Sequence, residues 1–212
     1  KRLHSIADIS ISSKTFNRVS LNSHTRIYRL LINICNLVYN QSLLNPEDSR
    51  YKFRDFVRDE RKMAVVYEKF LYNFFKNNQN KFAVSRERIY WDACSTDDPS
   101  LELLPTMLTD ITLRNQDKSI VIDAKYYRQT LNSFKGSKKI HTANLYQIYA
   151  YLCNMDNHKV DKNVEGMLLY PVINETISTG YEMSGTLIRV ETIDLMKDWD
   201  LIERDLLSLL DQ

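Results

Sequence analysis

Residues 119–126 read Ser-Ile-Val-Ile-Asp-Ala-Lys-Tyr. An almost wholly apolar opening marks a β-strand buried on both faces, central in its sheet. Strand alternation sends Ile120, Ile122 and Ala124 to one face and Val121, Asp123 and Lys125 to the other. An Asp and a Lys on one face of such a strand are costly to bury unless they pair or bind something. Immediately upstream, Asn115-Gln116-Asp117 supplies turn chemistry, and residues 106–113 (TMLTDITL) alternate as a preceding strand interrupted by Asp110. A turn there folds the two strands antiparallel and brings Asp110 beside Asp123. Two adjacent carboxylates repel, and a cation between them relieves the cost. Mg²⁺, with Mn²⁺ as a substitute, suits hard oxygen ligands and needs only one or two carboxylates. Lys125, on the same face, would then position or deprotonate a water, or stabilise a developing phosphorane. The alternative is an Asp–Lys ion pair that merely fixes strand register.

Further outward the pattern organises the whole chain. Residues 25–40 carry Ile27, Leu30, Leu31, Ile34, Leu37 and Val38 at helical spacing, after a polar, Ser-rich segment and before a charged stretch that runs from Pro46 to Lys62. Met63, Val66, Tyr67, Phe70, Leu71 and Phe74 share one arc of a second helix over about 62–76, with Glu68 at its margin. The spacing predicts strands at 83–91 and 106–113, then the one at 119–126. A polar loop over 128–140, a helix over about 143–154, strands at 164–170 and 186–192 and a closing amphipathic helix over 195–210 follow. This order predicts an α/β fold, with a mixed central sheet flanked by helices and an N-terminal helical segment. Residues 1–60 are expected to form the helical segment and linker, and residues 61–212 the catalytic domain.

Composition narrows the functions available. The 212 residues are 43% hydrophobic and 26% charged, as in ordinary globular domains, with only 4 Gly and 4 Pro. Net charge is +2, so nucleic-acid binding must rest on a local patch rather than on bulk charge. No apolar run approaches the length of a membrane span. Cys35, Cys94 and Cys153 lack metal-ligand spacing and read as reduced thiols of a cytoplasmic protein. Phe134-Lys-Gly-Ser-Lys-Lys lacks the first Gly and the spacing of a phosphate-binding loop, so nucleotide hydrolysis is not expected of this chain. Because it begins with Lys1, the chain is expected to be part of a longer protein.

Two further features accompany the carboxylates. In the helix after the central strand, Asn144, Gln147 and Tyr151 form a polar stripe opposite Leu145, Ile148 and Leu152. Between that strand and helix, residues 127–141 contain Arg128, Lys135, Lys138, Lys139 and His141 and no acid, a composition suited to gripping phosphates.

Helix with Glu, strand with Asp, strand with D-x-K, then helix with Q-x-x-x-Y resembles the PD-(D/E)XK nuclease superfamily, on the branch shared with RecB-type nucleases. Tyr51-Lys-Phe-Arg-Asp-Phe, Tyr67-Glu-Lys-Phe-Leu-Tyr, Leu103-Leu-Pro-Thr-Met-Leu-Thr-Asp-Ile-Thr, Val121-Ile-Asp-Ala-Lys-Tyr-Tyr, Asn144-Leu-Tyr-Gln and Gly166-Met-Leu-Leu-Tyr-Pro narrow it further. Together they resemble the McrC family, the nuclease subunits of McrBC modification-dependent restriction systems.

That resemblance implies a restriction-endonuclease-like core and a Mg²⁺-dependent DNA endonuclease subunit, activated by an McrB-like AAA+ GTPase hexamer. The hexamer would select double-stranded DNA, with modified cytosine, and two nuclease copies would meet for double-strand cleavage. By the same resemblance Asp110, Asp123, Glu68 and the Ala124 carbonyl hold the metal, Lys125 is the catalytic lysine, and Gln147 and Tyr151 orient the site or contact DNA. Arg128, Lys135, Lys138, Lys139, His141 and Asn144 are the expected DNA contacts. Thr109 stands where the superfamily name has Pro. The family also implies an additional N-terminal region that engages the GTPase. Two rivals remain: a non-catalytic assembly and activator subunit of the GTPase motor, and the nuclease subunit of a sequence-specific GTP-dependent restriction enzyme.

Overall fold

The computed structural model describes residues 59–127, 130–134, 137–156 and 163–211, together with 12, 15, 16, 18–20, 32 and 35. The chain divides into two compact units, Lys1–Lys62 and Met63–Gln212. In the first, Ile32 and Cys35 are helical, and the rest of the helix expected over 25–40 lies outside the described residues, as does the charged stretch up to residue 58. Asp59 caps the helix that leads out of this unit: its Oδ1 accepts the backbone N–H groups of Arg61 at 3.1 Å and Lys62 at 3.3 Å.

That helix is α1, Glu60–Asn78. It is followed by β1 (Ala83–Ser85), β2 (Arg88–Ile89), β3 (Met107–Leu108), β4 (Ile111–Arg114) and β5 (Ser119–Ala124). A small hairpin, β6 (Asn132–Phe134) and β7 (Ser137–Lys139), precedes helix α2 (Thr142–Asp156). Strands β8 (Val164–Pro171), β9 (Ser178–Met183) and β10 (Thr186–Ile193) and helix α3 (Trp199–Ser208) complete the chain. Six strands form one mixed sheet in the order β1-β4-β5-β8-β10-β9. β4 and β5 are antiparallel, β8 runs parallel to both β5 and β10, and β9 closes one edge antiparallel to β10. This is the mixed α/β sheet that the alternation of patterns predicts.

The two faces of β5 go where alternation sends them. Ile120, Ile122 and Ala124 pack with Tyr67, Leu71, Phe74 and Phe75 of α1 and with Ile202 and Leu206 of α3. Val121 packs with Ile148, Tyr151 and Leu152 of α2 on the opposite face. Trp199 lies edge-on to Phe70 and Phe74, with ring centroids 6.3 and 6.0 Å apart, and so ties α3 to α1.

Four features depart from the sequence reading. The strands expected at 83–91 and 106–113 each divide in two, so that β1 and β4 pair within the six-stranded sheet while β2 and β3 pair in a separate two-stranded one. The loop expected over 128–140 contains the β6–β7 hairpin, whose three-residue strands are too short and too polar to alternate visibly. β9 reads Ser-Thr-Gly-Tyr-Glu-Met and is largely exposed at the sheet's edge, so it has no buried face to advertise. The closing helix starts four residues later than expected: Asp198 is extended (φ −61°, ψ 149°), and its carbonyl receives the first helical N–H bonds. Among the described residues no helix is long and apolar enough to cross a membrane.

Helix α2 approaches β8 at Gly166. A Cβ there would stand 2.7 Å from Leu152 Cδ1 and 2.8 Å from Ile148 Cγ1, both within the buried layer. Gly166→Ala is therefore expected to destabilise the fold by about 1–3 kcal/mol through overpacking, read as a lower urea midpoint at unchanged m-value.

Candidate active site

The turn between β4 and β5 is closed by Asn115, whose Oδ1 accepts the N–H groups of Asp117 and Lys118 at 2.9 and 2.8 Å. The ladder it starts pairs Arg114 with Ser119 and Ile111 with Ile122. Asp110 immediately precedes that ladder and Asp123 immediately follows Ile122 in β5, and the Asp110 charge acts on Asp123. Asp110 Oδ2 accepts the backbone N–H of Ala124 at 2.9 Å, which anchors the first carboxylate to the strand that carries the second.

Asp123 is fully buried. Its Oδ2 lies 3.0 Å from the Lys125 ammonium as an ion pair, and neither of its oxygens receives a hydrogen bond. Burial pushes its carboxyl up from 3.8 to about 7, with the Asp110 charge adding to the shift and Lys125 opposing it. Burial alone would lower Lys125, but Asp123 and Asp110 more than offset it and hold the ammonium above its ordinary range.

Helix α2 completes the arrangement. Lys125 Nζ donates to Gln147 Oε1 at 3.0 Å, Gln147 Nε2 donates to Tyr151 Oη at 2.7 Å, and Tyr151 Oη donates to the Leu108 carbonyl at 3.1 Å. Gln147 and Tyr151 thus form a strut from the strand before Asp110 to the lysine after Asp123. The i, i+4 spacing on α2 is what spans the gap.

From the other face of the sheet, α1 brings Glu68 to the same end of β5. Glu68, Asp110, Ala124, Lys125, Tyr126 and Tyr127 line a cleft of about 240 Å³, with Ala64 and Val65 at its α1 wall. Burial raises the Glu68 carboxyl, Asp110 adds to the shift, and Arg86 and two lysines oppose it. Among the described residues no three His, Cys, Asp or Glu side chains converge on one point. Each acid is turned to a local partner instead: Glu68 to Arg86 at 2.6 Å, Asp110 to Ala124, and Asp123 to Lys125. The donor set nonetheless fits a hard divalent cation, because the buried carboxylate of Asp123 meets only the Lys125 ammonium and makes no well-aligned hydrogen bond.

The expected DNA contacts divide. Arg128 and Lys135 lie outside the described residues. Lys139 is exposed; Lys138 is exposed too but paired with Glu175 at 2.8 Å. His141 stacks on Tyr127, centroids 4.4 Å apart and planes 17° apart, beside the cleft. Asn144 is placed otherwise than expected. It is buried, accepting from Tyr127 Oη and donating to Tyr170 Oη, both at 3.0 Å, so its amide is used inside the fold. Thr109 gains a reason for replacing Pro: its N–H donates to the Glu87 carbonyl at 3.0 Å, a bond that Pro cannot make.

Sequence reasoning missed Arg86, Tyr127 and Tyr170. Only Tyr127 offered a signal, because it lies two residues beyond Lys125 and so continues the face of Asp123 and Lys125.

A family profile described as McrBC 5-methylcytosine restriction system component matches residues 1–171. The Type IV methyl-directed restriction enzyme EcoKMcrBC of Escherichia coli (strain K12) is 33% identical over 212 residues, which are 100% of this chain and 61% of that protein. The chain therefore spans less than two thirds of the curated relative's length. A chain of the refined half-complex from the tetradecameric assembly of Thermococcus gammatolerans McrB AAA+ hexamers with bound McrC aligns at a TM-score of 0.48 and 13% identity. That alignment covers 98% of this chain and 44% of the other.

The raised Asp123 carboxyl has a signed consequence for stability. The folded protein holds this proton more tightly than the unfolded chain does, so the contribution is complete below 3.8 and lost as pH rises through about 7. Asp123→Asn should raise the melting temperature of the cation-free protein. The gain over wild type should be larger at about pH 8 than at about pH 5, and equal gains at both would show that Asp123 does not titrate in this range.

Proposed function

Because the chain belongs to the McrBC 5-methylcytosine restriction system component family, we propose that it is a Mg²⁺-dependent DNA endonuclease subunit that hydrolyses phosphodiester bonds. Its cutting is licensed by an McrB-like AAA+ GTPase hexamer, which selects double-stranded DNA carrying modified cytosine. The observation that carries the catalytic part is the Asp110 carboxylate, held just before β4 by the Ala124 backbone, with its charge acting on Asp123 of β5. A lysine two residues on is clamped between Asp123 and Gln147.

Asp110 and Asp123, with Glu68 and the Ala124 carbonyl, would hold the cation. When bound, it polarises the scissile phosphate and makes water a better nucleophile. The chain's own residues do the rest. Burial of Asp123 beneath the cleft keeps its charge unscreened, so its pull on a cation is stronger than that of a surface carboxylate. Lys125 is held cationic by Asp123 and Asp110, so its role is to stabilise negative charge building on the phosphate rather than to remove a proton. Gln147 and Tyr151 restrict where that ammonium sits. A strut that limits its movement keeps the charge aligned with the transition state, at little reorganisation cost.

Asp123→Asn and Lys125→Ala should each lower cleavage of a plasmid carrying modified cytosines by about 10²-fold or more, assayed with the cognate GTPase and GTP. Their far-ultraviolet circular dichroism should match wild type. Undiminished cutting by either variant would remove the catalytic assignment and leave an assembly subunit of the motor. Paired methylated and unmethylated plasmids in the same assay test the assigned substrate.

A further inference from the structure

Arg86 has no part in the chemistry described above, yet it touches the cleft through Glu68. It lies in the two-residue link between β1 and β2, and the base of its side chain is fixed. Its neighbour Glu87 donates its N–H to Thr109 Oγ1 at 2.8 Å and accepts the Thr109 N–H at 3.0 Å. Arg86 is therefore pinned beside the residue that precedes Asp110. Its Nη2 is 2.6 Å from Glu68 Oε1, and its Cζ is 5.0 Å from the centroid of the Tyr72 ring. Glu68 and Tyr72 are i and i+4 on α1, so one helix face offers the guanidinium both a carboxylate and a π-surface.

This pair differs from an ordinary surface ion pair in what its acid faces. Glu68 lines the cleft with Asp110 and Lys125, and the Asp110 charge acts on it. A carboxylate occupied by a guanidinium is a poorer ligand for a divalent cation, because the two positive charges compete for the same oxygens. The Arg86 side chain is 35% exposed, so it can leave Glu68 without unpacking the core. A guanidinium binds phosphate with the same two-pronged geometry it uses for carboxylate. A nucleic-acid strand entering the cleft brings that anion to it.

We infer that Arg86 is a DNA-phosphate contact stored on Glu68 in the DNA-free protein, so that arrival of a phosphate frees Glu68 for the divalent cation. This rests on the nuclease reading and deepens it by making the site's affinity for cation depend on substrate. Tyr72 serves as the rest on which the guanidinium sits beside both anions.

The test is calorimetric titration of MnCl₂ into the 212-residue chain, with and without a DNA duplex and without the GTPase, so that cutting is not licensed. Arg86→Gln should bind Mn²⁺ about two- to fivefold more tightly than wild type in the absence of DNA, the size expected of an ion pair this exposed. In a Glu68→Gln background the same substitution should change the affinity less. Duplex should tighten Mn²⁺ binding to wild type and to Arg86→Lys, and have a smaller effect on Arg86→Gln. Unchanged or weaker Mn²⁺ binding by a folded Arg86→Gln would overturn the inference, as would a duplex that leaves wild-type affinity where it was. Wild type that binds no Mn²⁺, or binds it equally after Asp123→Asn, would instead sink the nuclease reading and this inference with it.

Discussion

The constraint on which this structure turns is the burial of one carboxylate, Asp123, in an apolar strand at the centre of a six-stranded sheet. Such a group is stable only if its charge is neutralised or matched. The fold supplies a partial answer, one ammonium at 3.0 Å, and then anchors a second carboxylate, Asp110, on the backbone of the next residue, Ala124. Burial, to which the Asp110 charge adds and which Lys125 offsets only in part, keeps the Asp123 proton bound up to about pH 7. A divalent cation beside the two carboxylates would relieve that cost. On the function proposed above, stability and function oppose each other: the arrangement that strains the cation-free protein is the one proposed to hold the ion.

Much of this was legible because β5 has a period of two and sits between helices on both faces. Alternation alone separates Ile120 and Ile122 from Val121, Asp123 and Lys125, and the structure divides them between two cores in the same way. The turn chemistry of Asn115 set the register that makes Asp110 and Asp123 neighbours. What stayed hidden has physical causes as well. β9 buries too little to impose a pattern, and the strands of the β6–β7 hairpin are only three residues long. Asn144 shares a polar stripe with Gln147, and helical spacing cannot tell a solvated face from one whose amides meet buried tyrosines. Arg86 could not be read at all, because its partner Glu68 is on another element and no local rule connects them.

The helix α2 stripe shows how one element serves two purposes. Asn144 joins Tyr127 to Tyr170 and so fixes the chain just after β5. Gln147 and Tyr151, a turn or two along, join Lys125 to the Leu108 carbonyl just before Asp110. Both contacts reach residues that flank the carboxylates rather than the carboxylates themselves. A helix that held the acids directly would satisfy them and leave nothing to bind.

The opposite end of the same sheet makes the point by contrast. There Glu165, also buried, receives Arg189 at 2.7 Å and Lys118 at 3.2 Å, and Arg189 donates further to the Leu209 carbonyl, which ties the end of the closing helical segment to the sheet. Two cations on one anion, with a carbonyl drawn in, make a cluster that acts as a brace. At the Asp123 end the ratio is reversed: Asp110, Asp123 and Glu68 face Lys125 and Arg86, and the two most buried oxygens go without hydrogen bonds. Burial of charge is common to both ends, so burial does not identify the site. The sign of the excess is what distinguishes the proposed site: at that end anions outnumber cations, which suits an outside cation.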